Sequence, residues 1–221
     1  MMNRALAAQP ITFKKDPVFE TPAVWSLDLL AGRLVEISGL GATALLTVGF
    51  DLVLQAQLEG KPCAWITLST SSFFPPDAAC SGVDLEALPV VRVGNASAAA
   101  RAADKLVRSG AFALVIVDLA GPEAHATALR SLNSKSTAEV PMPLQSRLLG
   151  LARRYHTAVV FLTNKDERSP SLGPLIGIRA EVRRQSKGDG AFTCEIRVIK
   201  DKREGPGRLH RQHYHAPAGL R

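Results

Sequence analysis

Cysteine, aromatic residues and long apolar runs are all scarce in this 221-residue chain, and each scarcity excludes something. The three cysteines, Cys63, Cys80 and Cys194, are widely spaced with no C-x-x-C pair, so neither a disulfide framework nor a zinc site is implied. Cys63 and Cys194 lie inside apolar runs and read as core fillers. Aromatic residues make up 5% of the chain against 46% for all hydrophobic types, which predicts a mostly aliphatic core. The longest apolar stretch, 42–56, is cut by Gly49 and Asp51 and is too short to cross a membrane. The opening MMNRALAAQPITFKKD lacks the apolar segment of a signal peptide, so a cytosolic protein with no membrane partner is expected. Of the histidines in RLHRQHYH, only His213 and His215 share a strand face, with no acid or cysteine nearby, so no metal is expected there.

Charge is present but uneven. The chain carries 27 Lys/Arg and 20 Asp/Glu, a net +7. From Arg147 onward 16 bases face 7 acids, a net +9, which leaves −2 for the first 146 residues. A basic C-terminal third suits an anionic partner, or is solvated charge along strand edges.

From residue 33 the pattern alternates strand and helix. RLVEI (33–37) reads as a strand and 44–58 as an apolar helix closed by Gly60. CAWITL (63–68), VVRV (90–93), ALVIVD (113–118) and TAVVFLT (157–163) are further strands, short and apolar as in a sheet covered on both faces. Between them, SAAARAADKLVRSG is a helix capped by Asn95 or Ser97, and Leu144, Leu148, Leu151 and Tyr155 space out another helical face. IGIRAEVRR, FTCEIRVIK and RLHRQHYH then show period-two character, joined by the turns SKGDG and REGPG. The fold class expected is α/β: a mostly parallel sheet flanked by helices, with antiparallel C-terminal strands. A core domain over 24–216 is expected, with an N-terminal extension at 1–23 and a tail at 217–221. SSFFPPDAAC (71–80) and 121–143 fit no regular element, and FFPPD (73–77) reads as a turn that packs under a loop or forms a contact patch.

AGRLVEISG through LVLQAQLEGKPCAWI resembles the RecA recombinase core, and the likeness resumes at SGVDLEAL and LVRSGAFALVIVD. It continues more weakly through AVVFLTN, IRAEVRR and CEIRVIKDK, covering about three quarters of the chain. On that frame GLGATALL (39–46) holds the phosphate-loop position, whose pattern is G-x-x-x-x-G-K-[ST]. Gly39 is kept, but the second glycine is Ala44, the lysine is Leu45 and the hydroxyl residue is Leu46. The lysine neutralises the β- and γ-phosphates and the hydroxyl holds magnesium; leucine does neither. The general-base position after the second strand is Ser69, and the γ-phosphate-sensing position is Asn164. Asp118 remains where the magnesium-linked acid would stand, or it caps a strand end. The reading is a pseudo-ATPase: no enzyme, no nucleotide cofactor.

RecA-like chains of this kind resemble ImuA, an accessory factor of an inducible mutagenesis cassette, and the smaller division inhibitor SulA. The long RecA-like stretches and basic tail favour the ImuA resemblance. It implies a role in SOS translesion synthesis, with RecA and an ImuB-type polymerase-like protein as partners. A basic DNA-binding RecA paralogue is the alternative. Ile11 and Phe13 of ITF point one way from an extended strand, which predicts docking on a RecA subunit, or packing on this chain's own core. The two DNA-holding loops of RecA correspond to about 119–143 and 165–175; neither carries an aromatic for base stacking, so strong binding of single-stranded DNA is not expected. Weak phosphate contact is expected from Arg179, Arg183, Arg184, Lys200, Lys202 and Arg203. Lys200 and Lys202 also match lysines that reach a neighbour's nucleotide in RecA filaments.

Overall fold

The computed structural model describes residues 25–41, 43–70, 73–121, 140–188 and 190–215. Its eight strands are β1 (Leu34–Ser38), β2 (Cys63–Leu68), β3 (Val90–Val93), β4 (Leu114–Asp118), β5 (Ala158–Thr163), β6 (Ile178–Gly188), β7 (Ala191–Asp201) and β8 (Leu209–His215). The helices are α1 (Leu27–Leu30), α2 (Leu45–Leu58), α3 (Pro75–Cys80), α4 (Ala96–Arg108) and α5 (Met142–Tyr155). One sheet runs in the order β3-β2-β4-β5-β1-β6-β7-β8. Its members from β3 to β6 pair in parallel; β6 with β7 and β7 with β8 are antiparallel. This is the mixed α/β architecture expected of a RecA-like core.

The local reasons are plain. β4 and β5 are buried at every position, so unbroken aliphatic runs suit them. β6 is buried over its first five residues and exposed beyond them, while buried and half-buried residues alternate along the middle of β7. β7 turns into β8 through Gly207, whose φ of +105° suits glycine and whose amide donates to the Val198 carbonyl at 2.8 Å. The Asn95 side chain caps α4 by accepting from the Ala98 amide at 2.9 Å.

Two apolar clusters sandwich the sheet. One lies under α1, α2 and α3 and gathers Val35, Ile37, Trp65 and Ile116. The other lies under α4 and α5 and gathers Leu34, Ile66, Val117 and Phe161. The few aromatics are not scattered: Phe50, Trp65 and Phe73 meet with ring centroids 5.1–5.9 Å apart. Gly49 makes this possible, since a Cβ there would stand 2.8 Å from Trp65 Cη2. In the stretch 73–80, which fits no element by sequence pattern, the chain forms a single helical turn and a half opened by Pro75 and Pro76. Phe73 turns into the core, and Phe74 is left 55% exposed.

Candidate functional site

The phosphate-loop position lies between β1 and α2, at the carboxyl ends of the central strands. Gly39 closes against the sheet by donating to the Thr163 carbonyl at 3.1 Å. The loop then folds on itself. The Thr43 amide donates to the Gly41 carbonyl at 2.9 Å, and a Cβ on residue 39 would stand only 2.8 Å from Thr43 Cγ2. A loop that cradles phosphate aims successive amides at a common centre; here the amide of Thr43 is taken by the loop's own carbonyl. Ala44 is the α2 N-cap and offers no side-chain hydrogen bond. Ala44 and Leu45 are 3% and 4% exposed and belong to the core under α2, while Leu46 packs half-buried against it. The loop tip presents Leu40, 47% exposed. Among the described residues of this loop there is no cation.

Around it, the acid and polar groups serve the fold. Asp118 is buried and accepts from the Thr67 hydroxyl at 3.1 Å and the Ala120 amide at 3.0 Å, tying β2 and β4 to the chain that follows. Ser69 donates to the Val93 carbonyl at 3.1 Å. Asn164 reaches the carbonyls of Ala120 and Gly121 at 3.1 and 3.3 Å, bridging the exits of β4 and β5.

A residue that sequence pattern did not single out organises the segment after β5. Glu36 on β1 is wholly buried. Its carboxylate accepts from the Thr163 hydroxyl (3.1 Å), the Ser171 hydroxyl (3.0 Å) and the Leu172 amide (2.8 Å), and Lys165 lies 3.3 Å away. Arg179 lies 3.8 Å from it and donates to the backbone carbonyls of Ser169 and Asp166. The buried Gln145 of α5 donates to the carbonyls of Val140 and Leu172, at 2.7 and 3.3 Å, and Lys202 donates to the Pro174 carbonyl. Residues 165–174, within the 165–175 stretch matched by resemblance to a DNA-holding loop, are thus tied down at four places, by β1, β6, α5 and the β7–β8 turn. The signal in the sequence was the acid inside RLVEI: a charge in a strand buried on both faces demands partners.

The cations proposed for an anionic surface do not act together. Arg179 is 5% exposed and spent on Glu36 and loop carbonyls, so it presents no charge to a partner. Arg183 is exposed but paired with Glu181 at 3.0 Å. Arg184 lies on the opposite strand face, its guanidinium 4.3 Å over the Phe192 ring. Across β6, β7 and β8 opposite charges stand in register: Glu181 beside Arg197, Arg183 beside Glu195, Glu195 beside Arg211. With Glu167, which pairs with Arg183 and Arg197, three acids offset the three arginines of this ladder. Lys200 is half-buried; burial, then neighbouring Lys202, pulls its ammonium below the ordinary range, opposed by Glu36. Lys202 and Arg203 are exposed on the β7–β8 turn. Asp201 beside them is buried and paired with Arg33 at 2.5 Å and with Arg208. Burial opposes its ionisation, but the Arg203 amide and the Arg33 guanidinium outweigh it and hold the carboxyl below its usual range. Thr193 meets His213 Nδ1 at 3.0 Å, and no group of metal-binding side chains forms among the described residues. Ile11, Phe13 and 122–139 lie outside the described residues.

The sheet order, and a strand–loop–helix at the position of a phosphate loop, agree with the comparison by sequence. The family model for the RecA N-terminal domain matches residues 24–166. This chain belongs to the RecA N-terminal domain family. RecA of Haemophilus ducreyi is 35% identical over 138 residues, covering 60% of this chain and 34% of that protein. RecA of Mannheimia haemolytica is 35% identical over 138 residues (60% and 35%), and RecA of Cutibacterium acnes 34% over 134 residues (58% and 36%). The chain spans about a third of the length of these relatives. No described helix of this RecA-family chain is long and apolar enough to cross a membrane.

Proposed function

We propose that this RecA-family chain is a non-catalytic accessory factor of the ImuA type. It acts in SOS-induced translesion synthesis by binding RecA and an ImuB-type polymerase-like protein in the cytosol. The observation that carries the reading is the loop at 39–46. A buried Leu45 stands where a cation must grip a triphosphate, and the neighbouring Thr43 amide is turned onto the loop's own carbonyl. A phosphate brought there meets leucine where the family's pattern has a cation, and its charge goes unpaired. A chain that keeps the RecA core without the nucleotide grip is suited to recognise RecA-like surfaces without turnover. Ile11 and Phe13 supply the docking strand in this reading, and Lys200 and Lys202 face the neighbour. Leu40, exposed at the tip of the loop, gives the former phosphate site an apolar contact.

Isothermal titration with ATP and magnesium tests the first half: no heat of binding is expected, and a saturable micromolar isotherm overturns it. Adding the protein to a RecA strand-exchange reaction tests the second. A dose-dependent change in exchange or filament length is expected and is lost in Ile11→Asp/Phe13→Asp; an unaltered reaction removes RecA as the partner.

A further inference from the structure

The sheet divides the molecule into two helical layers of opposite charge, which the order of residues along the chain does not reveal. The layer of α1, α2, α3 and their loops carries six acids, Asp28, Asp51, Glu59, Asp77, Asp84 and Glu86, against two cations, Lys61 and the buried Arg33. The layer of α4 and α5 carries six cations, Arg101, Lys105, Arg108, Arg147, Arg153 and Arg154, against one acid, Asp104. One layer is thus −4 and the other +5.

The geometry concentrates the positive layer outward. Arg101, Lys105 and Arg108 follow at i, i+4 and i+7, one exposed stripe along α4. Arg147 and Arg154 repeat the seven-residue step on α5, and each stripe runs about 10 Å at a 1.5 Å rise per residue. Asp104 is turned into the seam between the helices and ion-paired with Arg108 at 2.6 Å and Arg147 at 2.7 Å. Arg101, Lys105, Arg153 and Arg154 form no ion pair among the described residues. Compensation of helix dipoles does not explain the set. That would place acids in the first turns, where neither helix has one, and it reaches neither Arg101 nor Arg147.

The apolar groups sort the other way. Leu40, Leu58, Phe74 and Leu85 are exposed on the acidic side, whereas Met142, at the very start of α5, is the one large apolar residue that α4 and α5 expose. A protein interface needs an apolar centre inside its polar rim. A face of arginine, lysine, serine and glycine, without such a centre, fits a partner held by charge alone.

We propose that the α4–α5 face binds the phosphodiester backbone of nucleic acid without regard to sequence. The face is separate from the charge-paired β6–β8 ladder. Its cations crowd toward the helix C-termini, away from the segment after β4. The binding does not depend on whether the 39–46 loop holds a nucleotide.

The test is fluorescence anisotropy with labelled 30-nucleotide single-stranded and duplex DNA of arbitrary sequence, in a salt series from 50 to 200 mM. The wild-type chain is compared with Arg101→Glu/Lys105→Glu/Arg154→Glu, residues outside the Asp104 pairs, and with Arg183→Glu/Arg203→Glu on the strand side. Thermal melting confirms that both variants fold. Wild type should bind with a steep salt dependence. The helix-face variant should lose at least tenfold in affinity at low salt and about two to three from the slope of log K against log salt, as three phosphate contacts imply. The strand-side variant should stay within about threefold. Three outcomes overturn the proposal: no wild-type binding at 50 mM salt, equal loss in both variants, or binding of polyglutamate with no binding of DNA.

Discussion

Glu36→Gln removes one charge and almost no volume, so it isolates what the buried carboxylate contributes. In the native chain its two oxygens receive two hydroxyls, one amide and the nearby charges of Lys165 and Arg179, all within 3.8 Å. The hydroxyls of Thr163 and Ser171 can turn to accept from the new amide, so those contacts are partly recovered. Lys165 and Arg179 cannot adapt: their side chains are 14% and 6% exposed, and the substitution leaves two cations beside no anion. Removing one partner of a buried ion pair costs about 3–5 kcal/mol, a third or more of a typical domain's net stability. For a chain of this size about 3 kcal/mol lowers Tm by roughly 6–12 °C. Urea unfolding followed by circular dichroism reads the global loss. Trypsin reads the local one, since Lys165 and Arg168 sit on the tethered segment and should be cut sooner in the variant. Adding Lys165→Met to Glu36→Gln should restore part of the stability by removing an unpaired cation. A Glu36→Gln protein within about 1 kcal/mol of wild type, with an unchanged cleavage pattern, refutes the view that this carboxylate holds the segment.

Gly49→Ala should destabilise by about 1–3 kcal/mol despite the better helix propensity of alanine, because the new methyl meets Trp65 and Leu162 in a full core; chemical denaturation checks it. Burial pushes the thiols of Cys63 up to about 11 and of Cys194 up to about 12. One thiol, Cys80, should therefore react with a disulfide reagent at pH 8, and all three after unfolding. The Asp201 carboxyl is held below its ordinary value, so its contribution is fully present above about pH 4 and is lost as pH falls through the folded-state value. Asp201→Asn should be clearly less stable than wild type at pH 7, leaving Arg33 buried without its anion, and the gap between the two melting curves should close only as the pH falls through the folded-state value of Asp201.

The order of strands and helices was legible in the sequence because each has a local cause. Aliphatic runs of five or six residues can satisfy a sheet only when both faces are covered, which made CAWITL, ALVIVD and AVVFLT readable as strands within a residue of their ends. The loss of cation and hydroxyl at Leu45 and Leu46 was equally plain, since those chemical groups are absent whatever the fold. The short α1 and α3 were not legible: their few apolar residues show no period and are held by the core they pack on.

What only the tertiary structure decided is where charge ends up. A count along the chain put the positive charge in the C-terminal third, yet the register of β6, β7 and β8 sets Glu181 and Glu195 opposite Arg197, Arg183 and Arg211 and offsets part of it there. Arg179 could be read as a surface cation until strand pairing set it beside Glu36, and Gln145 had no visible task until α5 met the segment after β5. The physical reason is range. Burial pattern and propensity act over a few neighbouring residues, whereas the field of an ion depends on what distant parts of the chain bring within a few ångströms of it.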